Sequence, residues 1–376
     1  MPHDANAYIV SSSIPLVNPR PNPFNASASV LSARLDMAKV LVTGGTGFVA
    51  GHVIDVLLQR GYSVLTTVRS EEKAEAIHAS FRSVPRSRLE TVIVPDIAAN
   101  GALAALGSHG LEAVLHVASP FHYNVKDPKK DLIDPAVLGT SGVLKAIKES
   151  CPDVKRVVVT SSFAAILNPR LAAEGTEKTY TEEDWSPLTI EDAYSSPTNA
   201  YVVSKLMAEK AAWDFVEKEK PGFTISTINP PMIYGPVILP PKSLASVNTS
   251  NQTLAGLITG KHKDGLPPTT LPLWVDVRDV ALAHVKAIET DAAAGKRFFV
   301  TAGFYSNAEM GKIVWSKFPE LRDRLPALSD MGGAPSPVLK SFGFDTSRSE
   351  NVLGLTWTPY AKTVVDSVKS LASLAE

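Results

Sequence analysis

The 376-residue sequence is poor in the features that mark secreted, membrane-spanning and nucleic-acid-binding proteins. Its single cysteine, Cys151, excludes an internal disulfide framework and favours a reducing compartment. No apolar run approaches the roughly 18 residues of a membrane helix, and the first residues lack the pattern of a secretory signal. The 37 basic residues are balanced by 38 acidic ones, so no basic excess favours a nucleic-acid partner. We therefore expect a cytoplasmic protein that has no nucleic-acid or membrane partner.

The chain is long enough for two lobes and is 44% hydrophobic, which is typical of globular proteins. Residues 1–36 are rich in proline and serine and are predicted to form a disordered leader. Apolar runs then alternate with amphipathic stretches. The predicted strands are Lys39–Thr43, Ser63–Val68, Thr91–Pro95, Ala113–Ala118, Arg156–Ser161 and Phe223–Asn229, and the predicted helices are Phe48–Arg60, Asp134–Glu149 and Asn199–Glu219. This alternation predicts the α/β class, with a doubly wound parallel sheet.

The regular alternation stops after Asn229, which suggests a second, smaller lobe. Residues 230–270 are rich in proline, glycine, serine and threonine, whereas Trp274–Glu289 and Arg297–Thr301 again resemble sheet and helix. We expect a dinucleotide-binding domain over 37–230, with 271–302 returning to it. Segments 231–270 and 303–376 are expected to form a mixed α/β substrate lobe.

A glycine-rich turn follows the first predicted strand and opens the first predicted helix. Gly44 suits the tight turn, Gly47 allows the backbone close to a pyrophosphate, and the small Ala50 permits close helix–strand packing. The N–H groups of the helix N-terminus then face the phosphates. The position between strand and helix favours a dinucleotide site over a ligand-free turn. The predicted loop residues are Gly44, Gly45, Thr46, Gly47, Phe48 and Val49.

Two cations follow the second predicted strand, where NAD-binding proteins place an acid for the ribose 2′-hydroxyl. Arg69, with Lys73 four residues later, suits a 2′-phosphate and favours NADP(H) over NAD. An ordinary surface ion-pair cluster with Glu71 and Glu72 is the alternative. Asp96, at the end of the third predicted strand, can accept a hydrogen bond from the adenine amino group or can simply cap a helix.

Tyr201 and Lys205 lie four residues apart on one face of a predicted helix, and Ser162 comes directly after the preceding predicted strand. Carbonyl reduction needs a hydride at carbon and a proton at oxygen. A phenol has a pKa near 10, and a neighbouring ammonium lowers that pKa towards neutrality. Ser162 can polarise the substrate oxygen, and the set is a candidate proton-transfer site. A surface Tyr/Lys pair beside a strand-end serine is the alternative interpretation.

These motifs together resemble the extended short-chain dehydrogenase/reductase superfamily. Within it, the chain is most similar to the dihydroflavonol-reductase-like enzymes and above all to fungal NADPH-dependent methylglyoxal/3-methylbutanal reductases. The resemblance extends from about Ala38 to the C-terminus. Its further blocks are Val94–Ile97, Leu115–Phe121, Thr160–Ser162, Asn199–Lys205, Ala208–Trp213, Asn229–Pro230, Tyr234–Pro236 and Val275–Ala281.

The resemblance implies a Rossmann sheet and a set of site residues. Ser162, Tyr201 and Lys205 would be catalytic, with Ser161 the less favoured serine, and hydride would leave the 4-pro-S face of the nicotinamide. Besides the glycine loop, Arg69, Lys73 and Asp96, the implied NADP(H) contacts are Ile97, Ala118, Tyr201, Lys205, Pro230, Ile233 and Ser250. The implied substrate pocket is Phe121, Phe163 and Met232. These three side chains are apolar, which favours aryl or alkyl aldehydes and ketones.

The sequence therefore predicts an NADPH-dependent carbonyl reductase acting on a small-molecule aldehyde or ketone, as a monomer or a homodimer. The motif that a cinnamoyl-CoA reductase carries at 199–205 is absent, which argues against a CoA thioester. The eight histidines show no metal-ligand spacing, so no metal is expected. An NAD-dependent 3β-hydroxysteroid-type dehydrogenase and a non-catalytic NADP(H)-sensing regulator are the alternatives. Arg69 and Lys73 oppose the first alternative, and the intact Ser/Tyr/Lys set opposes the second.

Overall fold

The computed structural model describes residues 38–99, 101–119, 125–174, 177–332 and 342–374, and the predicted leader lies outside these ranges. Its strands are β1 (Lys39–Thr43), β2 (Ser63–Val68), β3 (Leu89–Ile93), β4 (Leu111–His116), β5 (Arg156–Thr160), β6 (Lys178–Tyr180), β7 (Thr224–Asn229), β8 (Met232–Tyr234), β9 (Leu273–Asp276), β10 (Arg297–Phe299), β11 (Gly303–Phe304) and β12 (Phe342–Phe344). Seven of them form a parallel sheet in the order β10–β7–β5–β4–β1–β2–β3. The predicted doubly wound sheet is confirmed.

Helices cover both faces of this sheet. They are α1 (Phe48–Gln59), α2 (Glu71–Ser80), α3 (Asp134–Ser150), α4 (Pro169–Glu174), α5 (Pro197–Glu219), α6 (Gln252–Thr259), α7 (Val277–Glu289), α8 (Asn307–Lys317), α9 (Ser347–Leu353) and α10 (Tyr360–Ala372). Val42 of β1 shares a buried cluster with α1, α2 and α7, whereas its neighbour Leu41 packs with α3 and α5. This alternation between the two faces explains why the central strands are almost wholly apolar.

Most predicted boundaries agree with the structure to within a residue, but two strands end earlier than expected. The strand predicted at Ala113–Ala118 ends at His116, because the N–H groups of Val117 and Ala118 donate to Thr43 Oγ1 instead of to a neighbouring strand. The strand predicted at Thr91–Pro95 spans Leu89–Ile93. Helix α3 begins at Asp134 as predicted, and a π-helical turn over Lys129–Ile133 runs directly into it.

A second lobe is built around a three-stranded mixed sheet in the order β11–β9–β8. Tyr234 and Trp274 of this sheet pack with Leu254 of α6, Met310 of α8 and Val364 of α10 in one buried cluster. A short parallel pair, β12 with β6, joins the C-terminal region to the segment that follows β5. The three strands of the small sheet all follow β7 in the chain.

The structure divides the chain less simply than the predicted segments do. Strand β9, in the segment 271–302, pairs with the small sheet, while α7 and β10 of the same segment belong to the large one. In the C-terminal segment, Leu353 and Leu355 join the core of the large lobe rather than that of the small lobe. No helix in the described ranges is long and apolar enough to cross a membrane.

Candidate active site

The glycine loop joins β1 to α1 in a tight turn, in which the positions of Gly44 and Gly45 leave no room for a side chain. Gly44 adopts φ +73°, a left-handed conformation that favours glycine, and its N–H donates to Thr67 Oγ1 at 2.9 Å. A Cβ placed on Gly45 would lie 2.2 Å from Thr66 Oγ1. Gly47 is the N-cap of α1, and no side chain among the described residues caps that helix end. A glycine cradle below an uncapped helix N-terminus fits the pyrophosphate of a dinucleotide.

A cleft of about 750 Å³ opens beside this loop, between α1, α2 and the loop 237–242. Thr46 and Phe48 line it, together with Lys73 of α2. Lys242 Nζ lies 2.9 Å from a carboxylate oxygen of Glu72, so an exposed ion pair connects the loop to α2. The cleft therefore joins the predicted phosphate loop to one of the two predicted 2′-phosphate cations.

Arg69 and Lys73 flank the start of α2 but do not share a helix. Arg69 is exposed at the end of β2, and Ser70 is the extended N-cap whose hydroxyl accepts the Lys73 N–H at 3.4 Å. Arg69 therefore lies before the N-cap of α2, and Lys73 lies in the first turn of that helix. Asp96 is exposed and accepts the N–H of Ala98 at 2.9 Å within a turn, and no described helix begins there for it to cap. Their roles towards a nucleotide remain predictions.

A buried threonine holds the strand end that carries Ala118. Thr43 Oγ1 accepts the N–H groups of Val117 and Ala118 at 3.1 and 3.0 Å, and lies 2.8 Å from His116 Nδ1. Both lone pairs of the hydroxyl are thus engaged, so its proton goes to the imidazole. Burial lowers the pKa of His116 to about 4, which keeps the ring neutral. Thr43 and His116 are 73 residues apart, and no spacing in the sequence links them.

The structure brings the Tyr201/Lys205 pair next to the segment of Ser162. Lys205 Nζ lies 5.8 Å from the centre of the Tyr201 ring on α5. Ser162 follows β5 and caps a 3₁₀ turn, Phe163–Ala165, with its Oγ accepting the Ala164 N–H at 3.1 Å. Ala164 lies in one hydrophobic cluster with Tyr201 and the neighbouring residues of α5. All three predicted catalytic residues therefore lie at the carboxyl end of the central strands.

Lys205 lies in a small cavity of mixed lining, where its Nζ donates to Ser119 Oγ at 2.6 Å. Ile97 and Ala118 line the same cavity, so three predicted cofactor residues lie together. Burial lowers the pKa of Lys205 to about 8. Ser119 is a site residue that the sequence reasoning missed, since it belongs to a quoted motif but has no catalytic spacing of its own.

The two adjacent serines at the end of β5 have different partners. Ser161 donates its hydroxyl proton in a short hydrogen bond to Glu209, a carboxylate buried on α5. The hydroxyl of Ser162 accepts an N–H, and no acceptor for its proton is recorded among the described residues. Ser162 is therefore the better placed of the two to donate a hydrogen bond to a substrate oxygen, and its catalytic role remains a prediction.

The remaining cofactor candidates lie where the chain enters the small lobe. The carbonyl of Pro230 accepts the N–H of Phe163 at 2.9 Å. The carbonyl of Ile233 accepts the hydroxyl of Ser250, which in turn accepts from Asn248 Nδ2 at 2.8 Å. Ser250 thus ties the loop of the small lobe to β8, and its contact with a phosphate remains a prediction.

The predicted substrate pocket needs one correction. The Phe163 ring is fully buried, stacked on Phe299 at 4.9 Å and packed edge-on against Tyr180 at 5.5 Å. It belongs to an aromatic core and does not line a pocket in this structure. Met232 is half-buried on β8, and Phe121 lies outside the described residues. Within the described ranges, no group of three histidine, cysteine or acidic side chains could hold a metal ion.

Comparison with known proteins places this geometry in a wider context. The model of the NAD dependent epimerase/dehydratase family matches residues 40–301. The ketoreductase azaE of Aspergillus niger is 42% identical over 340 residues, covering 90% of this chain and 98% of its own. The NADPH-dependent methylglyoxal reductase GRE2 of Saccharomyces cerevisiae is 34% identical over 339 residues, covering 88% and 97%. The crystal structure of Candida albicans Gre2 in complex with NADPH superposes with a TM-score of 0.81 at 35% identity, covering 90% of this chain and all of that one.

Proposed function

Since this chain belongs to the NAD dependent epimerase/dehydratase family, we propose that it is an NADPH-dependent carbonyl reductase that converts an aldehyde or ketone into an alcohol. The observation that carries the proposal is the site itself. A glycine cradle, a half-buried Tyr/Lys pair and a strand-end serine lie along one edge of the sheet. Relatives that match almost the whole chain are named as a ketoreductase and as an NADPH-dependent reductase.

The side chains divide the reaction between them. Bound NADPH supplies a hydride to the carbonyl carbon. Ser162 donates a hydrogen bond to the carbonyl oxygen, and Tyr201 delivers its phenolic proton to that oxygen as negative charge develops there. Lys205 holds the nicotinamide ribose, and its ammonium favours release of the Tyr201 proton.

The preference for NADPH over NADH is proposed to come from the end of β2. Arg69 is exposed there, and Lys73 lines the neighbouring cleft, so two cations can approach a 2′-phosphate. The first acidic residue after β2 is Glu71, at the start of α2. No carboxylate therefore occupies the two positions directly after the strand, Arg69 and Ser70, to bind a ribose 2′-hydroxyl. The names of the relatives also favour this cofactor over the NAD-dependent steroid-type alternative.

We propose a small carbonyl compound as the substrate and the cytoplasm as the place of action, with a monomer or a homodimer as the active form. The buried Cys151 has no disulfide partner, which is compatible with a reducing compartment. Size-exclusion chromatography with light scattering measures the molar mass and so distinguishes the monomer from the homodimer.

The test follows NADPH oxidation at 340 nm over a panel of aldehydes, α-diketones, β-keto esters and aryl ketones, with NADH in parallel. We expect turnover with NADPH, and a loss of about 10²-fold or more in kcat for Tyr201→Phe with little change in NADPH affinity. Tyr194→Phe is the matched control, because Tyr194 is an exposed tyrosine seven residues upstream, and it should keep full activity. Tight NADPH binding without turnover of any carbonyl would contradict the proposal and favour an NADP(H) sensor.

A further inference from the structure

The most densely hydrogen-bonded group in the described core is a carboxylate that the proposed reaction does not use. Glu209 is 1% exposed and lies on α5 one turn beyond Lys205 and two turns beyond Tyr201. Arg297 of β10 faces it, with Nε 2.6 Å from Glu209 Oε1 and only 9% of its side chain exposed. A buried ion pair of this kind is costly to desolvate, and it offsets that cost only where hydrogen bonds satisfy its remaining atoms.

The partners of Glu209 lead directly to the proposed catalytic serine. Its carboxylate accepts the hydroxyl of Ser161 and the side-chain amide of Asn229, the latter at 2.7 Å. The same Asn229 nitrogen donates to the backbone carbonyl of Ser162 at 3.3 Å. Both residues at the end of β5 are thus attached, directly or through one amide, to the helix that carries Tyr201 and Lys205.

The remaining partners hold the carboxylate from the other side. Thr227 Oγ1 lies 2.9 Å from Glu209 Oε1, and Trp213 Nε1 donates to the same oxygen at 3.3 Å. Arg297 also donates to the backbone carbonyls of Glu182 and Asp184, and its guanidinium lies over the Trp185 ring. The carboxylate therefore connects α5, β5, β7, β10 and the segment 182–185 in a single network.

We propose that Glu209 is a positioning residue for the reduction. It fixes the end of β5 against α5, so that the Ser162 hydroxyl and the Tyr201 phenol meet the same carbonyl oxygen. Its own carboxylate is saturated with protein donors and contacts no reacting atom. The proposal rests on the carbonyl reductase function argued above, and it adds a residue whose effect passes through Ser162.

Glutamine at position 209 removes the charge while keeping nearly the same shape. Its amide nitrogen would face donors such as Asn229 and Arg297, so one side of the network must open. We expect Glu209→Gln to lower kcat by about tenfold or more, as small misplacements of reacting groups do. The Kd for NADPH should change by less than about threefold, because the glycine loop and the cleft beside α2 contain none of the residues of the network.

A double-mutant cycle with Ser162→Ala separates positioning from general damage. If Glu209 acts through Ser162, Glu209→Gln should cost less than about twofold once the Ser162 hydroxyl is gone. Losses that multiply in the double variant would overturn the proposal. Glu289→Gln is the ion-pair control, since it breaks the 2.8 Å pair with Arg60 between α1 and α7, and its kcat should stay within about twofold of the wild type.

A second variant covers the case in which Glu209→Gln does not fold. Ser161→Ala keeps the Glu209–Arg297 pair and deletes one hydrogen bond to the carboxylate. We expect it to lower kcat about three- to tenfold in the wild-type background and to have almost no effect beside Ser162→Ala. If the losses in kcat caused by Ser161→Ala and Ser162→Ala multiplied in the double variant, the proposal would be contradicted here as well. A wild-type protein that reduces no carbonyl would refute the reductase function itself. An active enzyme whose variants show losses in kcat that multiply would refute only the role of Glu209.

Discussion

At the scale of single residues, the most informative side chain is the ammonium of Lys205. Burial lowers its pKa to about 8, so it loses its proton within the range in which enzymes are assayed. Its neighbour in the structure is Ser119, a neutral hydroxyl that cannot offset the desolvation of the charge. A group held in this way should make cofactor binding depend on pH.

We predict that NADPH binding to Tyr201→Phe weakens as the pH rises through about 8, because the neutral amine is a poorer donor to the ribose. The phenol is removed so that Lys205 is the titrating member of the pair. A loss of about tenfold corresponds to one charged hydrogen bond. Fluorescence titration between pH 7 and 9.5 measures it. The double variant Tyr201→Phe/Lys205→Arg stays protonated throughout and should show a flat profile, and an equal slope in both proteins would contradict the assignment.

The same scale shows what a sequence can and cannot reveal about a site. Ser162 and Phe163 are neighbours, but the serine lies at the strand end where its predicted role needs it, whereas the ring of Phe163 is buried away from the predicted pocket. The position of Ser162 at the end of a strand can be predicted, because the local sequence pattern determines where that strand ends. The burial of Phe163 depends on Tyr180 and Phe299, whose strands reach it only through the tertiary fold.

At the scale of elements, the β1–α1 turn makes the clearest prediction about stability. Gly45→Ala places a methyl group against Thr66, whose hydroxyl already donates to the Val42 carbonyl at 2.8 Å in the core. We expect it to lower the free energy of unfolding by about 1–3 kcal/mol and to weaken NADPH binding. Urea denaturation and NADPH titration measure the two effects.

The matched control is Gly142→Ala, in the interior of α3. A Cβ at Gly142 meets no described atom within 4 Å, so alanine should stabilise the protein by about 0.5–1 kcal/mol through its higher helix propensity. If the two alanine variants had the same stability, the close approach at Gly45 would be refuted.

Element boundaries follow from the sequence wherever local chemistry decides them. Strands β1 and β2 lie where the apolar runs predict, because both ends are set by adjacent turn residues. The end of β4 depends instead on Thr43, which removes two N–H groups from the sheet at a distance of more than 70 residues. A side chain on one strand that accepts backbone N–H groups at the end of another strand leaves no periodic signal in the sequence.

At the scale of the whole molecule, two of the three buried histidines in the described ranges, His116 and His284, connect stability to pH. His284 Nδ1 lies 2.8 Å from the Val280 carbonyl and must donate to it, so Nε2 accepts the hydroxyl of Thr160 at 2.7 Å. Burial lowers the pKa of His284, like that of His116, to about 4. The unfolded chain takes up these protons near pH 6.5, so stability falls as the pH drops from 6.5 towards 4. Asp279 opposes the trend, since burial raises its pKa to about 6.

We predict that His284→Asn reduces the slope of unfolding free energy against pH by about 1.4 kcal/mol per pH unit between pH 6 and 4.5, the value for one proton. The variant should be less stable at pH 7, where the neutral ring makes both of its hydrogen bonds. Urea denaturation at several pH values measures the slope. An unchanged slope would show that His284 does not control this transition.

The overall architecture was predictable to the level of the large sheet, and the division of the chain between lobes was not. The strand–helix alternation of residues 39–229 predicts parallel strands joined by crossovers, so the doubly wound sheet follows from general rules. The return of Leu353 and Leu355 to the core of the large lobe depends on which surface the earlier helices leave uncovered. That surface exists only once the fold has formed.

The central claim is that this protein transfers hydride from NADPH to a carbonyl carbon. The most direct measurement is the mass of the alcohol formed with NADPH deuterated at either C4 position. The account predicts one deuterium in the alcohol from the 4-pro-S label and none from the 4-pro-R label. Deuterium from the 4-pro-R label alone would contradict the expected face of the nicotinamide. An alcohol that carries no deuterium from either label would contradict the reductase mechanism.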